Sequence, residues 1–430
     1  MNRALQKVVV VVGTTGAGKT KLSVELAKAF NGEIVNSDAM QMYRGLDIAT
    51  AKASVDEMQG IKHHLLSCMD PVDECTVIEY KAQAMATIHD ILSRGKVPVI
   101  VGGTMYYTQS ILWKAQLIEE AAGVNGNDNA AIPADADAAY QALVQIDPEM
   151  AQRLHSRDVR RVQRSLEVFY QTGVKHSELI AKQAHENDEM LFDACMLWVD
   201  CDRSVLAQRL DDRVDTMVQA GLVLEIEALM DNIQHHLAAS PIPLGQKGIS
   251  QAIGFKEFRP YLEARAAGHD TATVLEQCIE QLKIGTRQYA KRQLTWIRNR
   301  IVPRNIPVYK LDTTDVAQWP TNVTAPAMAI VSAFLKNESI DVPACVASVD
   351  VDSADKKVKN LCEPCGNREF VGLAQWNEHL RSKGHRYHMK RLRLLETGQL
   401  FDRPPPKKPK DKTEGMEPKE MGGASATRSP

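Results

Sequence analysis

The run Val8-Val9-Val10-Val11-Val12, followed at once by Gly13-Thr14-Thr15-Gly16-Ala17-Gly18-Lys19-Thr20, constrains this chain more than any other feature. The apolar run reads as a strand, and a helical pattern from Lys21 to Phe30 follows the glycines. Strand, glycine-rich loop and helix N-terminus, in that order, are the context a phosphate-binding P-loop requires. The glycines let backbone N–H groups close around phosphate oxygens, the helix dipole favours the anion, and Lys19 adds a cation. Thr20 supplies a hydroxyl suited to a magnesium ion bridging the phosphates. Gly13, Thr14, Thr15, Gly16, Ala17, Gly18, Lys19 and Thr20 are therefore expected to hold a diphosphate or triphosphate.

The sequence carries only weak signs of the rest of a nucleotide-hydrolysing apparatus. P-loop NTPases hold their metal with an acidic residue at the end of a second apolar strand. Here the candidate strand, Val97 to Val101, ends in Gly102-Gly103-Thr104. The mismatch points to a ligand whose diphosphate is a leaving group rather than an energy source.

With 430 residues, the chain is expected to form two or three domains with a substantial core. No apolar run approaches the roughly 20 residues of a membrane span. The first strand begins by Val8, so no cleavable targeting peptide is expected ahead of it. Six cysteines without framework spacing (Cys68, Cys75, Cys195, Cys201, Cys278, Cys345) read as reduced thiols of an intracellular protein. A cytoplasmic monomer is the expectation, with nucleus and mitochondria left open. Net charge is −2, but residues 361–430 hold 14 Lys/Arg against 9 Asp/Glu. Arg153, Arg157, Arg160, Arg161 and Arg164 form one further basic stripe, and Arg287, Lys291, Arg292, Arg298 and Arg300 another. Local stripes of this kind matter more to a polyanion than the global sum.

Strand and helix alternate through the first third: strand 33–36, a helical pattern from Val77 to Ser93, then strand 97–101. That pattern predicts a parallel sheet flanked by helices, with ligands at the carboxyl ends of its strands. The P-loop, Asp38 and Thr104 should then converge on one cleft. Residues 121–138 read as a polar surface loop, and helical periodicity runs from Ala139 to about Gln183. The next strand is 194–200, long helices are expected over 203–236 and 271–300, and Val308–Leu311 suits a last strand. The expected organisation is a P-loop α/β core (1–111 and 194–336) with a helical insertion (112–193). A linker (337–358), a C2H2 zinc finger (359–393) and a basic disordered tail (394–430) complete it.

Seven blocks resemble one family, the tRNA dimethylallyltransferases (tRNA isopentenyltransferases) of eukaryotic type with a C-terminal finger. They are GTTGAGKT (13–20), NSDAMQMY (36–43), VGGTMYY (101–107), DPEMAQRLHSRDVRRVQRSLEV (147–168), LDDRVDTM (210–217), GISQAIGFKE (248–257) and RQYAKRQLTWIR (287–298). They stand in family order and span nearly all of residues 8–300. The resemblance implies transfer of a dimethylallyl group from dimethylallyl diphosphate to N6 of the adenosine immediately 3′ of the anticodon. It gives Asp38 the role of general base; the competing reading is an N-cap for the next helix. Thr20 and Arg213 attend the leaving diphosphate, although an arginine outside the motif would read as a solvated helix charge. Thr104, Asp38, Ala39, Met40, Gln41, Gln163, Arg164, Ser165, Leu166 and Glu167 match segments that contact the tRNA, and Thr104 could instead cap the helix after Gly103. Arg157, Arg160, Arg161 and Arg164 recur at helical spacings of three and four, presenting one basic face to stem phosphates. The target base, normally stacked, has to be extruded.

Cys362-x2-Cys365-x13-His379-x5-His385 has the spacing of a two-Cys, two-His zinc site, with Leu373 and Trp376 between the pairs. Its long His–His gap resembles matrin-type fingers, and His388 is an alternative fourth ligand. The finger reads as an auxiliary tRNA clamp, with protein docking as the competitor. For the whole chain the competing readings are a P-loop small-molecule or nucleoside kinase, and a nucleic-acid-binding protein with an inactive P-loop.

Overall fold

The computed structural model describes residues 5–114, 132–186, 189–237, 248–304, 306–345 and 359–397. Most of the anticipated loop at 121–138, most of the linker and nearly all of the tail lie outside these residues. The described residues form two compact units, one running up to Ile132 and from Ser165 to Cys345, the other made of Pro133–Arg164 and Lys359–Thr397.

The first unit is built on six parallel strands: β1 (Lys7–Gly13), β2 (Gly32–Asn36), β3 (His63–His64), β4 (Val97–Val101), β5 (Asp193–Asp200) and β6 (Val308–Asp312), in the order β3-β2-β4-β1-β5-β6. The expected strands are present, and the two-residue edge strand β3 is an addition the sequence did not reveal. β1 sits in the middle, in register with β4 on one side (Val9 opposite Val99) and β5 on the other (Val9 opposite Cys195).

Because β1 is central, its valines need no polar alternation: successive side chains go to opposite faces, and both are covered. Val8, Val10 and Val12 pack against α3 (Val77–Ser93) through Tyr80, Ile88 and Ile91, and against α12 (Ala272–Trp296) through Leu294. Val9 and Val11 meet α1 (Lys19–Ala29) through Leu22 and Leu26, and α13 (Ala325–Lys336) through Ile330 and Val331. Thr76 and Glu79 form a capping box at the start of α3, which fixes where that helix begins.

The short helices α2 (Val55–Met58) and α4 (Met105–Leu112) flank the sheet's carboxyl edge. A helical layer follows β5: α9 (Arg203–Gln219), α10 (Leu222–Leu237) and α11 (Arg259–Ala266). Its core joins Leu222, Ile226 and Leu229 to Phe255, Phe258 and to Leu282 of α12. The single long helix expected over 203–236 is two helices, because Gly221 adopts φ +102° and ends the first run. The other long helix, α12, gives way to a π-turn at Ile297–Ile301.

The helical periodicity expected from Ala139 to about Gln183 is divided among four helices: α5 (Ala136–Ile146), α6 (Pro148–Arg153), α7 (Val159–Thr172) and α8 (His176–Glu186). Asp147 separates the first two by capping α6 ahead of Pro148, its Oδ1 accepting from the Met150 amide at 3.0 Å. In the second unit, β7 (Lys359–Cys362) and β8 (Arg368–Val371) form an antiparallel hairpin, followed by α14 (Leu373–Arg381) and α15 (Lys383–Glu396). Among the described residues no helix is long and apolar enough to cross a membrane.

Candidate active site and metal centre

The carboxyl ends of β1, β2 and β4 open into a cavity of about 640 Å³ in the first unit. Its wall includes Thr15, Gly16, Gly18, Lys19 and Thr20 from the P-loop, Asp38 to Gln41 after β2, and Gly102 to Thr104 after β4. Arg213 of α9 and Tyr289, Arg292 and Gln293 of α12 close the far side. Among the described residues its lining carries six cations (Lys19, Lys21, Arg209, Arg213, Lys256, Arg292) against two carboxylates, Asp38 and Glu57. Such a wall attracts a polyanion and leaves each carboxylate conspicuous.

The P-loop needs glycine where it turns. Gly16 and Gly18 have φ of +78° and +92°, a region that costs other residues energy. Lys19 folds back to donate to the Thr14 carbonyl at 2.9 Å. Burial lowers the Lys19 ammonium to about 8, with the Asp38 charge pulling it up and the Arg213 charge pushing it down. Arg213 reaches the same loop, its Nη1 donating to Thr15 Oγ1 at 3.3 Å. This arginine is a cleft residue, not a solvated helix charge.

Asp38 is held by the turn that leaves β2. Asn36 accepts the Asp38 amide on its Oδ1 (3.0 Å) and donates from Nδ2 to the carbonyls of Asp38 (3.0 Å) and Leu65 (2.9 Å). One carboxylate oxygen accepts from the Met40 amide at 3.0 Å, but the N-cap position of the short 3-10 turn Met40–Met42 is Ala39, so Asp38 is not its N-cap residue. The side chain lies in the cavity opposite Lys19. Burial pushes its carboxyl above the ordinary range, opposed by the Lys19 charge and by hydrogen bonds from the Met40, Gln41 and Gly103 amides. A carboxylate made more basic by desolvation yet held in place by amides suits proton abstraction.

Thr104 begins α4 without capping it: its Oγ1 accepts instead from the Ala39 amide at 3.0 Å, tying the turn after β4 to the turn after β2. Gly103 leaves its neighbours the room that a side chain would take. A Cβ there would lie 2.5 Å from Gln293 Nε2 and 2.7 Å from Asp38 Oδ2. Sequence reasoning alone does not single out Gln293 and Tyr289. Both sit in the block RQYAKRQLTWIR and face the same cavity one helical turn apart, a spacing that could have flagged them.

The remaining residues matched to tRNA-contacting segments do not line this cavity. Arg157, Arg160, Arg161 and Arg164 are exposed, Gln163 and Glu167 are partly exposed, and Arg161 pairs with Asp158 at 3.4 Å. Ser165 and Leu166 are buried, the Ser165 hydroxyl lying 2.9 Å from His176 Nδ1.

In the second unit, ligating atoms of Cys362, Cys365, His379 and His385 all lie within 4.8 Å of one another. His379 Nε2 is buried without a hydrogen-bond partner, an orphan that a metal would satisfy. Phe370 stacks on the His379 ring at 4.1 Å and Trp376 lies at 5.9 Å, giving the finger its small core. The hairpin is fastened to residues 133–164. Glu369 accepts from the Ser156 amide at 3.1 Å and pairs with Lys359 at 3.1 Å, while Lys359 lies 4.5 Å over the Tyr140 ring.

A P-loop parallel sheet whose cationic cleft faces a single embedded aspartate defines an enzyme of phosphorylated-donor chemistry. Likeness to known proteins narrows the class. The IPP transferase family profile matches residues 41–300. The tRNA dimethylallyltransferase of Mus musculus is 37% identical over 408 residues, covering 90% of this chain and 87% of its own length. That of Saccharomyces cerevisiae is 37% identical over 403 residues (90% and 92%), and that of Bacillus cytotoxicus 43% over 299 residues (69% and 88%). A crystallographic structure of a eukaryotic dimethylallyltransferase acting on tRNA superposes with TM-score 0.76 at 34% identity, covering 92% of this chain and 99% of that one. The tRNA isopentenylpyrophosphate transferase of Bacillus halodurans gives TM-score 0.53 at 31% identity, over 77% and 99%. The chain belongs to the IPP transferase family, the tRNA dimethylallyltransferases. It is a prenyltransferase by membership, and the kinase alternative falls away.

Proposed function

We propose that this chain transfers the dimethylallyl group of dimethylallyl diphosphate to N6 of the adenosine immediately 3′ of the anticodon in tRNA. The observation that carries the reading is Asp38 facing the phosphate cradle across one cavity, with no other carboxylate but Glu57 in the described lining. The donor's diphosphate sits among the P-loop amides, Lys19 and Arg213. N6 attacks the allylic C1, the C1–O bond breaks, diphosphate leaves with the electron pair, and Asp38 takes the N6 proton. Lys19 and Arg213 are positioned for the negative charge that grows on the leaving group.

Thr20 lines the cavity at the N-terminus of α1, where its hydroxyl and the diphosphate oxygens would hold a magnesium ion. That ion would neutralise leaving-group charge. The exposed Arg157, Arg160, Arg161 and Arg164 supply phosphate contacts for the anticodon stem. Asp38 to Gln41 and Thr104 meet the extruded base, and Gln163 and Glu167 meet neighbouring loop bases. Ser165 and Leu166 support that helix from inside. Two thiolates and two imidazoles suit Zn2+, which Cys362, Cys365, His379 and His385 would hold to keep the finger folded.

The test is nucleoside mass spectrometry of unmodified tRNA incubated with the enzyme, magnesium and dimethylallyl diphosphate. N6-isopentenyladenosine is the expected product with wild type. Asp38→Asn should lower its single-turnover rate by about 10²–10⁴-fold, the range for loss of general-base catalysis. A wild-type enzyme inert with this donor overturns the reaction, and an Asn variant within threefold of wild type overturns the base.

A further inference from the structure

The cleft face of α12 carries a buried side chain to which the chemistry above gives no part. Gln293 is 4% exposed, and both ends of its carboxamide are engaged. Its Oε1 accepts from the Thr15 amide at 2.7 Å, which fixes Nε2 as the group donating to the Gly103 carbonyl at 2.9 Å. Thr15 belongs to the phosphate cradle. Gly103 belongs to the turn whose own amide hydrogen-bonds the Asp38 carboxylate. One side chain, 278 residues from the first partner and 190 from the second, therefore joins the donor loop to the loop that holds the base.

The packing leaves this link little play. The space beside Gly103 is shared by Gln293 Nε2 and Asp38 Oδ2, so that even a methyl group there would press on both. Tyr289, one helical turn earlier, donates to the same Gly103 carbonyl at 3.2 Å and reinforces the link from the same helix. A glutamine that merely satisfied itself in a core could bond any two backbone groups; these two belong to the two halves of one reaction.

We propose that Gln293 is a positioning residue that sets the distance between the phosphate cradle and the Asp38 carboxylate, by clamping the Thr15 and Gly103 peptides through one carboxamide. The proposal rests on the reading of Asp38 and the P-loop given above. Its consequence is that donor geometry and base geometry are adjusted together. A displacement of about 1 Å at a reacting pair costs on the order of 10²-fold in rate.

Gln293→Met keeps the volume and removes both hydrogen bonds. The expected result is a kcat lower by roughly 10–100-fold, weaker binding of inorganic pyrophosphate in calorimetry, and tRNA affinity within twofold of wild type. Gln293→Glu keeps the acceptor for Thr15 but loses the donor for Gly103 and adds a carboxylate near Asp38. Of the titratable groups around it, Lys19 lowers the Asp38 carboxyl, while the Asp38 charge in turn raises the hydroxyls of Tyr80, Tyr107 and Tyr289. A new anion among them moves the acid limb of the pH–rate profile to higher pH, because a neighbouring negative charge disfavours ionisation of Asp38; the shift reads the closeness of position 293 to the base.

A Gln293→Met enzyme with kcat within threefold of wild type overturns the proposal, and so does an unmoved acid limb in Gln293→Glu. Should the methionine variant fail to fold, Gln293→Asn, which keeps the amide but is one methylene too short to reach both peptides, takes its place, and a kcat within threefold of wild type again overturns the proposal. Pyrophosphate binding does not depend on the prenyl acceptor. A wild-type enzyme without transferase activity therefore defeats the proposed reaction and leaves the cradle half of the inference separately measurable.

Discussion

Replacing Gly103 by alanine adds one methyl group at the point where the two halves of the site touch. The backbone at Gly103 is not left-handed, so alanine is conformationally tolerated, and the loss of unfolded-state entropy would by itself stabilise the fold by about 0.4–1 kcal/mol. Steric crowding dominates instead. The new Cβ would stand 2.5 Å from Gln293 Nε2 and 2.7 Å from Asp38 Oδ2, where ordinary van der Waals separation is about 3.5–4 Å. Each neighbour must retreat by about 1 Å. Overpacking of this kind costs about 1–3 kcal/mol, which in a fold of this size lowers Tm by only a few degrees. Displacing the base by the same distance should lower the single-turnover rate by about 10²-fold, with tRNA affinity unchanged. Rapid-quench turnover at saturating donor and tRNA, beside a thermal melt, separates the two effects. A Gly103→Ala enzyme within threefold of wild type would show that Asp38 is not held by this packing, and the positional argument would fail.

Lys19 is lowered to about 8 by burial in the donor-free enzyme, so raising pH through 8 removes its charge; pyrophosphate affinity measured from pH 7 to 9 should fall, and a flat profile would dismiss Lys19 as an anion ligand. Asp38 shifts the other way: with its carboxyl raised by burial, turnover should decline on acidification at a pH above the ordinary carboxylate range, near 4. Thr20→Ala and Lys19→Ala should weaken donor binding while filter-bound tRNA is little changed, and a parallel fall in both would contradict the separation of the two ligands. Chelation of the finger metal, or Cys362→Ala, should unfold the β7–β8 hairpin and weaken tRNA binding. It should also flatten the dependence of log K on log salt by roughly 0.7–0.9 for each phosphate the finger no longer neutralises. An unchanged salt slope would favour a protein partner for the finger.

What could be read from the sequence was what lies close together along it. β1, the P-loop and α1 occupy one contiguous stretch, because a glycine loop between a strand and a helix makes its own phosphate cradle from backbone groups. The four candidate metal ligands announce themselves by spacing within 24 residues, and α3 declares its start through a capping box. Even the break in the helix expected over 203–236 had a local cause, since Gly221 ends one run there, just as Asp147-Pro148 starts a new helix within the region of helical periodicity. The tertiary structure decided what distance along the chain conceals. It brought Arg213 to Thr15, Gln293 to both Thr15 and Gly103, and Glu369 to the Ser156 amide just ahead of α7. It also turned Ser165 and Leu166 inward while leaving the neighbouring arginines in solvent. The pairings at Thr15 and Gly103 arise because a parallel sheet gathers its carboxyl ends on one edge, where α9 and α12 face it. Residues hundreds of positions apart become hydrogen-bonding neighbours there, and no local pattern in the chain records it.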